Sequence, residues 1–185
     1  MSLKAKLVST IAAFCMVICL LSVGIWAANS GTVNLGGSVS FTATDVNVRV
    51  EYVGMEGGTG TYSHAAIEWN SSDEPTADDK FEGMNFGFKK SETNAAVYAD
   101  IVITIKVTNL SKERGVNVAI DADKTEAAGN DASVSVVATG APSIDKATTD
   151  EGLSQLYTIT IKTTKDTNQS VAATAWAGTL TITNP

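Results

Sequence analysis

The sequence predicts an all-β protein: a two-sheet β-sandwich of Greek-key, jelly-roll or Ig-like type, preceded by an N-terminal hydrophobic signal helix. Two observations predict this fold class. Residues 1–27 combine a basic start with a long apolar run, which is typical of a secretory signal peptide. Beyond them, apolar and polar residues alternate with a period of two, and clusters rich in Gly, Asn and Asp interrupt the alternation.

The signal segment is expected to run from Met1 to Ala27. Lys4 and Lys6 precede an apolar run over 7–26, and Ala27 supplies a small residue at which cleavage is expected. A bilayer is spanned by about 20 apolar residues, so an uncleaved membrane anchor is the alternative. In either case the basic start leaves the rest of the chain outside the cytoplasm.

Residues 28–185 are expected to form a single β-sandwich domain. Their length is sufficient for one hydrophobic core, and both cysteines, Cys15 and Cys19, lie in the signal segment. The exported part therefore has no disulfide, and its stability depends on burial and strand pairing.

Alternation predicts six clear strands along the chain. Successive side chains of a strand face opposite sides, so each of these segments has one apolar face and one polar face. Two sheets of such strands bury their apolar faces against each other at a spacing of about 10 Å. The segments are 39–43, 46–52, 101–108, 116–121, 157–162 and 179–183.

The middle of the chain is less regular. It predicts a strand ending near Trp69, a long acidic loop over 71–80 and an aromatic-rich strand over 81–88. About eight to ten strands are expected in all. The segment 149–156 is expected to hold a short turn of helix.

The charge of the chain excludes some partners. It has 20 acidic and 13 basic residues, for a net charge of −7, and loss of Lys4 and Lys6 with the signal makes this −9. An acidic surface disfavours nucleic acid and anionic lipid. We therefore expect no nucleic-acid partner, and membrane contact only if the N-terminal segment is retained.

The sequence predicts that the protein is not an enzyme. His64 is the single histidine, which excludes a zinc site with two histidine ligands, and no nucleophile-elbow pattern is present. No cysteine after residue 27 can act as a nucleophile. A secreted hydrolase would have to rely on His64 as its general base.

Two acidic clusters are candidate calcium sites, because Ca²⁺ prefers carboxylate and carbonyl oxygens. One contains Asp78 and Asp79; the other contains Asp121 and Asp123, followed by further acids and amides up to Asp131. Neither has the spacing of a known calcium loop, and solvated surface acids are the alternative interpretation. No other cofactor is expected.

Three aromatic residues are candidates for binding a glycan or a host surface. Tyr62, Trp69 and Phe81 flank the acidic loop, and aromatic rings stack on sugars. The alternative is that they fill the core, as Trp176 is expected to do.

Open sheet edges suggest self-association. An edge strand has unpaired backbone groups that a strand from another copy can complete. The short, polar segment 28–35 is a candidate donor for such strand exchange. The alternative is that it pairs within its own domain.

The chain resembles the TasA/camelysin group of secreted bacterial biofilm-matrix proteins. The resemblance rests on the signal ending 22–27, on a cysteine-free β-rich body for which no wall anchor is expected, and on the strand-then-turn segment 103–111. The chain departs from the group at 29–31, where an acidic start is usual. The resemblance implies a jelly-roll subunit of extracellular fibres, and it assigns no functional residue.

Together these features predict a secreted or cell-surface protein that is structural and non-enzymatic, with self-association into a matrix or fibre. The alternative function is an extracellular, adhesin-like module that binds a glycan or a surface.

Overall fold

The computed structural model describes residues 35–43, 46–60, 67–69 and 80–185, with the backbone alone at 67–69 and 80. The predicted signal helix over 1–27, the proposed donor residues 28–34, and the side chains of Tyr62, His64, Asp78 and Asp79 lie outside the described residues. In the described part of the chain, no helix is long and apolar enough to span a bilayer.

The described residues form an all-β, two-sheet arrangement, as the sequence predicts. A six-stranded sheet has the order β3-β5-β1-β11-β7-β9, and a five-stranded sheet has the order β4-β2-β6-β10-β8. The strands are β1 (Leu35–Ala43), β2 (Val48–Glu56), β3 (Gly58–Thr59), β4 (Ile67–Trp69), β5 (Lys80–Phe88), β6 (Ile101–Asn109), β7 (Val116–Lys124), β8 (Val134–Thr139), β9 (Ser143–Ile144), β10 (Leu153–Thr163) and β11 (Thr174–Thr183).

Consecutive strands alternate between the two sheets, so every connection crosses the sandwich. The alternation of the sequence explains the core, because the inward residues of each strand are the apolar ones. In β6, for example, Ile101, Ile103 and Ile105 are fully buried. A single cluster of buried side chains from both sheets fills the space between them.

The first and last described strands lie side by side in the six-stranded sheet. β1 pairs parallel with β11, from Leu35 opposite Thr174 to Ala43 opposite Ile182, and antiparallel with β5 on its other side. Leu35, the last residue of the predicted donor segment, is therefore part of a strand inside its own domain.

Two glycines make room for the largest buried rings. Gly37 lies opposite Trp176, and a Cβ atom at Gly37 would come within 2.0 Å of the indole. At Gly140 an added Cβ would likewise come too close to a ring, within 1.9 Å of a carbon of Tyr157. Burial raises the pKa of Tyr157 to about 12. The indole thus packs against bare backbone of the neighbouring strand β1, and the Tyr157 ring against bare backbone just after β8.

The expected helical turn at 149–156 is wrong. The chain makes a turn there that ends at Gly152, whose φ of 87° is readily adopted only by glycine. Strand β10 then begins at Leu153, opposite Asn109 of β6. Leu153 to Leu156 are extended because they pair with β6. The periodicity of the local sequence gives no information about this long-range pairing.

Candidate functional site

The edges of the two sheets are the surfaces most open to another chain. In the six-stranded sheet, the edge strands β3 and β9 have two residues each, so most of β5 and β7 has no neighbour on one side among the described residues. In the five-stranded sheet, the edge strand β4 covers only Val48 to Val50 of β2, and β8 forms the other edge along its whole length.

Charged residues lie on most of these edges. β7 contains Asp121, Asp123 and Lys124, and β5 contains Lys80 and Glu82. β2 and β4 contain glutamates as well. Charges on an edge strand oppose pairing with another chain, which protects these edges.

The edge strand β8 differs from the others. Its six residues, Val-Ser-Val-Val-Ala-Thr, include no charge, no proline and no glycine. It pairs with β10 on one side, from Val134 opposite Thr163 to Thr139 opposite Thr158. Among the described edges of three residues or more, β8 alone is uncharged, and it is rich in residues that favour strands.

Towards β8, the outer face of the five-stranded sheet is largely apolar and threonine-rich, with one charge, Lys162 of β10, opposite Ser135. Val137 of β8 is 53% exposed and lies opposite Thr160 of β10, which in turn lies opposite Val102 of β6. Leu156 of β10 is 57% exposed.

On the β2 side the same face is charged. The Glu51 carboxylate lies 2.6 Å from the Lys106 ammonium and 3.4 Å from Nε of Arg49. The hydrogen bond from Lys106 lowers the pKa of Glu51, although partial burial acts in the opposite direction.

The candidate calcium ligands on β7 do not form a ligand cluster. Asp121 and Asp123 are exposed on the outer face of the six-stranded sheet, opposite Thr179 and Ala177 of β11. Asp123 Oδ1 accepts a hydrogen bond of 2.6 Å from the Lys124 N–H. Among the described residues, no three His, Cys, Asp or Glu side chains come together as metal ligands.

Asp131 lies apart from that pair, in a buried polar network that the sequence did not predict. Its carboxylate accepts hydrogen bonds from the Ala172 N–H at 2.7 Å, the Ser133 hydroxyl at 2.7 Å and the Ser133 N–H at 3.0 Å. The Lys165 ammonium lies 2.5 Å from Oδ2. The network connects the β7–β8 loop to the β10–β11 loop.

Two opposing effects act on the Asp131 carboxyl. Burial alone raises its pKa, but the Lys165 ammonium and the hydrogen bonds from Ala172 and Ser133 outweigh burial, so its pKa is well below the usual range. The charged form of Asp131 is therefore the form that the fold stabilises. Ser133 is close in sequence, but Lys165 and Ala172 lie 34 and 41 residues away along the chain, so no local sequence motif indicated this network.

The turn after β6 is organised by Asn109, which has none of its surface exposed. Its Nδ2 donates to the carbonyl oxygens of Arg114 and Asp145, each at 3.0 Å, and its Oδ1 accepts from the Ser111 N–H at 3.0 Å. The strand-then-turn segment 103–111 is thus β6 followed by a turn with a buried amide at its centre.

The predicted aromatic binding residues are not brought together in the described structure. Phe81 is fully buried, with its ring centroid 5.2 Å from that of Phe41 and 6.4 Å from that of Tyr52. It is a core residue and presents no face to a sugar. Trp69 is the last residue of β4, and its side chain, like all of Tyr62, lies outside the described residues.

Two open clefts of about 410 and 470 Å³ lie among the described residues. The first is lined by Asn47, Glu113, Arg114 and neighbouring residues, and the second by residues around Met55 and Lys89. Neither lining includes an aromatic side chain on which a sugar could stack.

No protein-family model matches the chain, and comparison with curated proteins gives no match.

Proposed function

We propose that this chain is a secreted or cell-surface protein that is structural and non-enzymatic, and that its copies associate into an extracellular matrix or fibre. The observation that carries the proposal is the uncharged, six-residue edge strand β8 of a cysteine-free sandwich, taken together with the secretory leader that the sequence predicts. Proteins usually protect such edges, because these edges recruit other chains.

The resemblance to the TasA/camelysin group supports the same proposal. The segment 103–111 that contributes to it forms β6 and the Asn109 turn. We also propose a jelly-roll relationship for the sandwich, supported by connections that all cross between the sheets. Parallel pairing of β1 with β11 departs from a purely antiparallel jelly roll.

A test of this function follows the protein through export. The gene is expressed in an exporting host, and the released material is examined by intact mass and by electron microscopy, with calcium and with a chelator. We expect a chain that begins near residue 28 and forms filaments or other large assemblies. Loss of the assemblies in chelator would assign a role to the carboxylates, including Asp121 and Asp123.

Two outcomes would contradict the proposal. Isolated single molecules in all conditions, together with binding to a glycan array, would favour the adhesin-like alternative. Hydrolytic activity that disappears in a His64→Ala variant would show an enzyme instead.

A further inference from the structure

We propose that β8 pairs antiparallel with β8 of a second copy, so that two five-stranded sheets join into one continuous sheet. This inference rests on the proposed function, because it names the surface through which the copies first associate. Three properties of the described structure support it: the unpaired backbone of β8, its side-chain pattern, and the distribution of charge over the edges.

Strand β8 has a neighbour on only one side for its backbone hydrogen bonds. The strand pairs with β10 along all six residues, and no described strand is hydrogen-bonded to its other side. Backbone N–H and C=O groups alternate between the two sides of an antiparallel strand, so half of those in β8 point away from β10. A second β8 offers an equal row of groups at the same spacing.

The side chains of β8 match those of a second β8. Val134 and Val136 face the core, whereas Ser135 and Val137 are exposed on the outer face. Residues directly opposite in an antiparallel pair lie on the same face of the sheet. An antiparallel pair of β8 strands meets this condition whether its two-fold axis passes beside Val136 or beside Val137. In both registers the core-facing valines stay on the inner face and the exposed residues stay on the outer face.

Charge selects β8 among the edges, and selects a second copy as its partner. The chain after residue 27 has a net charge of −9, so contact between two copies is least unfavourable where neither surface adds like charges at close range. Pairing of β7 with itself would place Asp121 and Asp123 beside the same residues of the other copy, and like charges in a cross-strand pair are unfavourable. Pairing of β8 with itself brings no charged side chains of the two strands together.

The symmetry of this contact limits what it builds. A strand that pairs antiparallel with its own copy forms a two-fold interface, which closes as a dimer. We therefore infer that the β8 pair forms the dimeric unit of any larger assembly, and that growth of a fibre uses a second, different contact.

The test compares Val137→Lys with Leu156→Lys in the exported protein by sedimentation velocity over a range of concentrations. Both positions are exposed apolar residues of the five-stranded sheet, at 53% and 57%, but only Val137 is on the edge strand. Because Val137→Lys places like charges near each other across the two-fold axis, we expect dimerisation at least about tenfold weaker. Leu156→Lys is expected to dimerise as the wild type does.

A third variant separates association from folding. Val137→Thr keeps an uncharged, strand-favouring side chain, so it is expected to dimerise normally, and urea unfolding of all three variants verifies that each is folded. If folded Val137→Lys associates as strongly as the wild type, the β8 contact is wrong and the proposed function stands. If the wild type itself is monomeric at every concentration, both proposals are wrong.

Cross-linking provides a direct measurement of the contact. In a background with Cys15→Ser and Cys19→Ser, a Val137→Cys variant has one cysteine. A short bis-maleimide linker, which can join the two cysteines in either register, is expected to give a covalent dimer at protein concentrations where the matched Leu156→Cys variant gives none. Equal cross-linking of the two variants would overturn the proposal.

Discussion

At the scale of single residues, Asn109 is a structural amide within a sequence that otherwise matches a glycosylation acceptor, Asn-Leu-Ser. Its three hydrogen bonds join the ends of β6, β7 and the segment after β9, and its side chain is inaccessible. A buried donor or acceptor that loses its partner costs about 1–3 kcal/mol.

We therefore expect Asn109→Ala to reduce the free energy of unfolding by about 2–3 kcal/mol, measured by urea unfolding. The control is Asn168→Ala, which changes the exposed asparagine of another Asn-x-Ser sequence and is expected to have almost no effect. Equal stability of the two variants would contradict the role given to Asn109.

The Asp131 network makes stability depend on pH. The pKa of Asp131 is lower in the folded chain than the value of about 3.9 in an unfolded one. Its contribution to stability is therefore fully present above about pH 5, and it is lost as pH falls through 3.9 towards the lower, folded-state pKa.

Asp131→Asn is expected to destabilise the protein by about 2 kcal/mol at pH 7 and to flatten the loss of stability below about pH 5. Urea unfolding between pH 7 and pH 2.5 measures both effects. Asp123→Asn, at an exposed position on β7, is the control and is expected to retain the wild-type pH profile. An unchanged acid limb in Asp131→Asn would show that the network does not contribute.

At the scale of strands, Gly37 and Trp176 test how the six-stranded sheet is packed. The indole occupies the space above Gly37, whereas the nearest atom to a Cβ at neighbouring Gly36 is Oδ1 of Asn85, at 3.5 Å. Gly37→Ala is expected to cost about 2 kcal/mol, because the indole or the strand must move. Gly36→Ala is expected to be neutral, and urea unfolding followed by tryptophan fluorescence compares the two.

Strong alternation predicted the strands well. All six alternating segments fall in strands, although β2 begins at Val48 rather than at residue 46, and the aromatic-rich segment is β5. The described residues form eleven strands, so the expected eight to ten was too few. The strands that alternation missed are β8, β9 and β3, of which the last two have only two residues each. β8 lacked a clear prediction because Val136-Val137-Ala138 breaks the alternation of apolar and polar residues, and only the pairing with β10 shows which side faces the core.

The candidate sites were less predictable than the strands. Asp131 and Lys165 come together only because two loops meet, and such a pair leaves no pattern in the sequence. Phe81 was correctly expected in the aromatic-rich strand, but which face of that strand is buried depends on the sheet opposite. Long-range packing, rather than local propensity, decides both cases.

At the scale of the whole molecule, the distribution of charge is the feature that links the fold to the proposed function. Acidic residues lie on β2, β4, β5 and β7, while β8 has no charged side chain and the nearest charge on its neighbour β10 is Lys162, opposite Ser135. If the proposed function is correct, copies are expected to remain single molecules at low concentration and to associate through the β8 edge as concentration rises.

The most direct test of self-association is sedimentation velocity of the exported wild-type protein over a wide range of concentrations, with its intact mass determined in parallel. We expect a monomer at the lowest concentrations, a dimer as concentration rises, and larger species beyond it. A single monomeric boundary at every concentration, for a folded chain with the expected mass, would contradict a self-associating structural protein.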